Sequence, residues 1–346
     1  MRRFIGLMSV VVGISCAGLI VLALLGGRFV PEGWQVLYVR QADFYYRALW
    51  RVDTSRGLTF PENDVRYAES VFALSPDGRF LLATRYDESS AQTRIFDLHS
   101  GLRSESIVGS DQWAWSPDGR FLAFVDEQGD LFKLSRPDFD KGETTFRLTD
   151  ATLLVRSRGD MSAPVWSPDG TRIAYQDFRA NVQQIYVVSA DGSENFALIG
   201  ADDREDRLSS ASDPAWSPDG AQIAFVYELD GNPEIYVVEV ETGNLTRITH
   251  HPAHDVAPLW SPDGSQLVFL SDRRYLLGEL ILADLTEPLR FVPLDVTAFL
   301  ASSPQWSPDG RRLVYISGDD GEIERVDVET GRVHQLTNEQ MSHRLP

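Results

Sequence analysis

The stretch Pro214-Ala215-Trp216-Ser217-Pro218-Asp219-Gly220, followed by Gln222-Ile223-Ala224-Phe225, decides the fold. Its Ser-Pro-Asp-Gly core occurs six times, starting at Ser75, Ser116, Ser167, Ser217, Ser261 and Ser307. Trp precedes it in five copies (Trp115, Trp166, Trp216, Trp260 and Trp306), and Leu74 in the first. Successive serines lie 41, 51, 50, 44 and 46 residues apart, so one structural unit is copied along the chain. Repeats of this length point to solenoids, propellers or arrays.

Each unit carries four short apolar segments. One leads into Trp, as in Pro164-Val165-Trp166, and a second follows the turn, as in Arg172-Ile173-Ala174-Tyr175. A third lies past a polar gap, as in Glu234-Ile235-Tyr236-Val237-Val238. The fourth ends in Leu-Thr or Ile-Thr, at Leu148-Thr149, Ile248-Thr249 and Leu336-Thr337. Short β-branched and aromatic runs bounded by Gly, Pro, Asp or Asn read as strands, and four per unit make a propeller blade. Ser, Pro and Gly at the first, second and fourth positions fit a type I turn between strands one and two. Glu241-Thr242-Gly243 and Glu329-Thr330-Gly331 turn strand three into strand four. Pro164, Pro214, Pro258 and Pro304 fall two residues before Trp and place that strand at a sheet edge. Each Trp reads as a wedge between blades.

The pattern Pro-x-Trp-Ser-Pro-Asp-Gly, then Ile-Ala-Phe and Ile-Tyr-Val-Val, resembles the WD40-like PD40 repeat of TolB-type propellers over roughly residues 70–337. The resemblance implies an all-β propeller of six four-stranded blades, and an envelope scaffold role; fold alone does not fix function. The chain departs from TolB in lacking a sizeable α/β region ahead of the repeats, so a TolB-type partner does not carry over.

With 32 basic against 51 acidic residues, the formal net charge is −19, which disfavours nucleic acid and anionic lipid as partners of the propeller. A single cysteine, Cys16, excludes an intramolecular disulfide framework. Phe4 to Leu25 is uncharged and apolar and follows Arg2 and Arg3. That is long enough for a transmembrane helix, with the N-terminus cytoplasmic and the propeller extracytoplasmic, periplasmic or at the cell surface. A cleavable signal peptide is the competing reading. The expected organisation is therefore a cytoplasmic N-terminus and anchor over 1–28, a juxtamembrane segment over 29–69, and the propeller over 70–346. Trp34, Leu37, Tyr38, Gln41, Tyr45, Leu49 and Val52 have helical spacing. Yet Leu49-Trp50-Arg51-Val52-Asp53 before Gly57 resembles a third strand and its turn, so 29–69 is either a linker or a degenerate seventh blade, closed by 341–345.

Chemistry-bearing motifs are sparse. No Gly-x-Ser-x-Gly elbow occurs. His250-His251-Pro252-Ala253-His254-Asp255 has a metal-ligand look but reads as a solvated loop, and Asp202–Arg207 mixes two arginines into its acids and lacks calcium-loop spacing. No metal or other cofactor is expected. Because strands alternate in direction, both turn types described above fall on one uniform face. The loops from strand two to three, and from blade to blade, share the other face and vary. Binding concentrates where a rigid scaffold presents variable loops. The exposed candidates there are Arg179, Asp203, Arg204, Tyr227, His254, Asp255, Arg273, Arg274 and Tyr275. The expected function is a membrane-anchored, non-catalytic scaffold for a protein or peptide. The alternatives are an accessory subunit of a membrane complex, docked through its helix and the segment Trp34–Trp50, and a lyase or hydrolase with metal in the propeller channel.

Overall fold

The computed structural model describes residues 23–25, 35–41, 47–53, 58–67 and 71–337, apart from 87–90, 109–111, 147, 180–181, 200–208, 230, 275–277, 287–288, 299–303 and 320–321. Six four-stranded antiparallel sheets follow one another as propeller blades, over 71–108, 113–155, 160–197, 210–247, 255–297 and 305–335. In blade four the strands a to d are Ser210–Trp216, Gln222–Leu229, Asn232–Glu239 and Leu245–Arg247, each hydrogen-bonded to the next. Two compact units divide the chain. One, 69–273 with 281–293, contains blades one to four and most of blade five; the other, 1–68 with 274–280 and 294–346, contains blade six.

Strand a ends and strand b begins six residues apart in every blade, from Leu74 and Phe80 to Trp306 and Arg312. The same hydrogen bonds build all six turns. The serine Oγ donates to the Asp Oδ1 two residues on, at 2.5–2.7 Å. That Oγ also accepts from the N–H five residues on, at 2.8–2.9 Å. The glycine takes φ between 66° and 74°, the left-handed region where other residues are strained. The serine hydroxyl holds the Asp169, Asp219 and Asp263 carboxyls below the usual carboxylate range.

Four of the five tryptophans bond to the preceding blade, as expected of inter-blade wedges. Trp166 Nε1 donates to the Ala114 carbonyl, Trp216 to Val165 and Trp260 to Ala215, all at 3.1 Å; Trp115 reaches Ala73 at 3.2 Å. Each acceptor is the residue just before the equivalent position of the preceding blade. Trp166, Trp216 and Trp260 are buried and Trp115 partly so, each among neighbouring strands: Trp216 packs with Ile185, Val187, Ile223 and Phe225. Burying so large an apolar surface is the main term holding blade to blade.

Pro164, Pro214 and Pro258 sit in β-bulges. Register shifts between Ser162 and Val165, Ser212 and Ala215, and Val256 and Leu259. The residue before each proline is left-handed, with φ of 48° at Ala163 and 54° at Asp213 and Ala257. A bulge absorbs a residue that cannot donate to the ladder.

Three expectations need correction. The described part of the expected amphipathic helix is not helical: Gln35–Gln41 and Arg47–Asp53 are antiparallel strands, the middle pair of a four-stranded sheet completed by Ala23–Leu25 and Leu58–Tyr67. The apolar positions fit both periods, and Val36-Leu37-Tyr38-Val39 prefers the pleated one. The strand at 47–53 is the third of its sheet, as the alternative reading had it. The predicted membrane helix loses its last three residues to Ala23–Leu25; the rest of that run, and the proposed closing strand 341–345, lie outside the described residues. No helix among the described residues is long and apolar enough to cross a membrane. Finally, Leu148-Thr149 does not end a fourth strand. Blade two carries an insertion between Ser135 and Thr152, and Leu148–Asp150 is a 3-10 turn within it.

Candidate functional site

Opposite the Ser-Pro-Asp-Gly turns, the connections vary. From strand b to c the chain runs from Arg179 to Val182 in blade three, but from Ser271 to Glu279 in blade five. From one blade to the next it runs from Val155 to Asp160, or from Ala197 to Ser210.

Blades three and five solve one electrostatic problem in two ways. Arg179 and Arg273 each lie twelve residues after their blade's serine. In blade three the acid is on strand b: Asp177, wholly buried, accepts from Arg179. In blade five it is on strand a: Asp255, also wholly buried, accepts from Arg273 at 2.8 Å. Asp255 stands directly across from Ser271, the blade-five counterpart of Asp177, so the carboxylate has moved to the opposing strand. Burying a carboxylate is costly unless it is paired, which accounts for an arginine at both places. Arg179 lies over the Tyr186 ring, and Arg273 over Phe269 and Phe291, fixing both guanidinium groups.

In blade four the hub is Glu234. It accepts from Arg247 Nη2 at 2.8 Å, Asn232 Nδ2 and the His251 N–H at 2.9 Å each, and from the Thr249 hydroxyl. Thr249 Oγ1 in turn accepts the Ile235 N–H, tying strand d to strand c. Blade six repeats the latch with Thr337, Glu322 and the Ile323 N–H. The recurrent Ile-Thr and Leu-Thr endings thus have a mechanical purpose. The histidine loop is equally ordered: His251 Nδ1 accepts the Ala253 N–H at 3.0 Å, and His254 pairs with Asp272 at 3.1 Å. Among the described residues no group of three or more His, Cys, Asp or Glu could hold a metal ion.

Of the nine expected site residues, Asp203, Arg204 and Tyr275 lie outside the described residues. His254 and Arg274 are exposed; Arg274 bonds Asp295 at 2.7 Å and the buried Glu279 at 3.3 Å. Arg179 and Arg273 are half-buried. Tyr227 and Asp255 are not exposed. Strand b continues to Leu229, so Tyr227 lies in the sheet and meets Tyr236 edge-on at 5.3 Å between ring centroids. Asp255 opens strand a beneath Arg273.

Two residues escaped sequence reasoning. Phe178, at the end of strand b in blade three, is 43% exposed beside Arg179. Blades two, four and five have Glu127, Glu228 and Asp272 at that position, and this contrast was the available signal. Asp213, in the blade-four bulge, is the one exposed residue of its strand, yet protein surrounds it enough for burial to push its carboxyl up. Its sequence context, Ser212-Asp213-Pro214, looks like ordinary turn chemistry.

Residues 149–345, more than half of the chain, match PD40, the TolB beta propeller domain. The chain belongs to the PD40 family. Among curated proteins, this PD40 chain is 28% identical to the Tol-Pal system protein TolB of Nitrosomonas europaea over 47% of its own length and 41% of TolB's. It is 25% identical to dipeptidyl peptidase 4 of Felis catus over 44% of its length and 24% of that protein's. The chain thus spans less than half the length of the curated relatives it matches. A solved structure of putative TolB from Agrobacterium tumefaciens superposes with a TM-score of 0.51 at 22% identity, covering 71% of this chain and 88% of the other, a likeness of fold.

Proposed function

We propose that this PD40 propeller is a non-catalytic scaffold that binds a protein or peptide partner on its variable-loop face, held at a membrane by its N-terminus. The observation that carries the reading is the asymmetry between faces. One face is built from six superimposable turns whose polar groups bond to each other. The other presents loops of unequal length, and the strand ends that carry them are tied by buried carboxylate–arginine pairs and by the Glu234 hub. A scaffold ordered before binding lowers the cost of association. An exposed phenylalanine beside a fixed arginine, Phe178 with Arg179, has the composition of an interface hot spot. The match to a Tol-Pal system protein supports a role in the cell envelope. Phe4 to Leu22, behind Arg2 and Arg3, supplies the anchor and leaves the propeller extracytoplasmic. Crosslinking in intact membranes, with the N-terminus retained, tests this. A specific partner is expected, recovered by wild type and lost when Phe178 and His254 are both replaced by Ala; equal recovery by wild type and the double variant overturns the assignment of the face.

A further inference from the structure

The seam between blades two and three departs from its neighbours at two adjoining positions. Strand c of blade two, Leu131–Ser135, sets Lys133 opposite Ala123. In blades three and four the matching residues are valines, Val187 opposite Ala174 and Val237 opposite Ala224, packed into the apolar seam with the next blade. Just after strand c of blade three, Ala190 donates to the Thr171 carbonyl, where Val240 bonds Ala221, Leu285 bonds Ser265 and Val328 bonds Arg311. A charged side chain at the first position and a methyl at the second leave the seam unfilled. A cleft of about 500 Å³ opens there, lined by Lys133, Arg172, Ser189, Asp191, Ser193 and Glu194 around Ala190. That volume lies within the range of small-molecule sites. The turn forming one wall is braced from behind: a β-carbon on Gly192 would stand 3.5 Å from Leu154 of blade two. One on Gly243 or Gly331, in the equivalent turns, would meet nothing within 4 Å.

The charges of the cleft are held apart. Lys133 donates to the Ala190 carbonyl and lies 5.3 Å from the centre of the Phe121 ring, and Arg172 pairs with Glu241 of blade four at 2.6 Å. Asp191 is held by Ser193, whose hydroxyl donates at 2.6 Å and whose N–H donates at 2.9 Å. Neither Asp191 nor Glu194 pairs with either cation. An ammonium has three donors and a carboxylate about four acceptor sites, so both signs keep capacity for a ligand. We propose that this cleft binds a small zwitterion, an amino acid or short peptide with both termini free. Its carboxylate meets Lys133 and Arg172, and its ammonium meets Asp191 and Glu194. Charge-assisted hydrogen bonds form at both ends, while a ligand of single sign meets like charge at one of them. The site is on the turn face and stands apart from the loop-face reading.

The test is a ligand-observed NMR titration of the full-length protein in detergent with alanine, dialanine and trialanine, each also N-acetylated and C-amidated. At least one free zwitterion is expected to bind. Acetylation and amidation each lower its affinity about fivefold or more, as the loss of one set of exposed ionic contacts implies. Lys133→Val with Ala190→Val gives the seam the residues of blade four and abolishes binding, while melting stays level or rises. Glu194→Gln keeps the shape and weakens the free peptides about threefold, but not their acetylated forms. Phe178→Ala with His254→Ala, on the other face, leaves affinity unchanged, so failure here is distinct from failure of the loop-face site. Binding of none of the compounds, binding retained by the filled cleft, or equal affinity for capped and free forms overturns the inference. A preference for alanine assigns the site to a free amino acid, and one for dialanine or trialanine to a peptide.

Discussion

The two faces spend their polar residues differently. On the turn face each Ser-Pro-Asp-Gly closes its bonds within five residues, so the motif needs nothing from elsewhere in the fold. On the loop face two of the buried acids reach across strands: Asp255 to Arg273 over 18 residues, Glu234 to Thr249 over 15. Local closure makes a face that repeats, whereas cross-strand closure makes one that can diverge blade by blade, as the strand exchange between Asp177 and Asp255 shows. The insertion of blade two is the exception on the turn face, and it too is tied by a reach across the chain: Arg79 bonds both Asp97 and Asp140 at 2.7 Å.

The strongest way to break the comparison is to remove what both faces share. Trp216→Ala deletes a buried wedge and its bond to Val165, and is expected to cost about 3–5 kcal/mol in denaturant unfolding. A loss near zero would deny the wedge role. On the loop face, Arg273→Met strands a wholly buried Asp255 and costs about 3 kcal/mol, of which the Asp255→Asn/Arg273→Met double variant recovers most. If the double were as unstable as the single, the pair would not be the reason for the arginine. Phe178→Ala sharpens the contrast from the functional side: about 2 kcal/mol of partner binding lost, read by titration, with melting unchanged. Ser217→Ala is its mirror, about 1 kcal/mol of stability lost and partner binding unaffected. The smallest effect is acid sensitivity. Asp169, Asp219 and Asp263 titrate lower folded than unfolded, so their stabilisation is complete above about pH 4 and fades as pH falls through the folded values. Replacing all three by Asn should flatten stability across that acid range.

The blade boundaries, the turn geometry and the Trp wedges were readable because their causes are local: a preset proline φ, a glycine at positive φ, a large ring every 44–51 residues. The sheet at 23–67 was readable only in part, because Trp34 to Val52 satisfies a helical and a pleated period at once. The site was less legible still. Tyr227 and Asp255 looked exposed because strands b and a were expected to stop short of them, and one further pair of residues in the hairpin ladder turns a loop residue into a core one.

By itself, then, the chain determined that blades form, in what order, and which face is built of uniform turns. Every one of those outcomes follows from residues within hydrogen-bonding reach along the sequence. Only the tertiary structure decided that Asp255 is buried and paired with Arg273. That pairing depends on which side chains the register sets opposite one another, and no spacing along the chain records it.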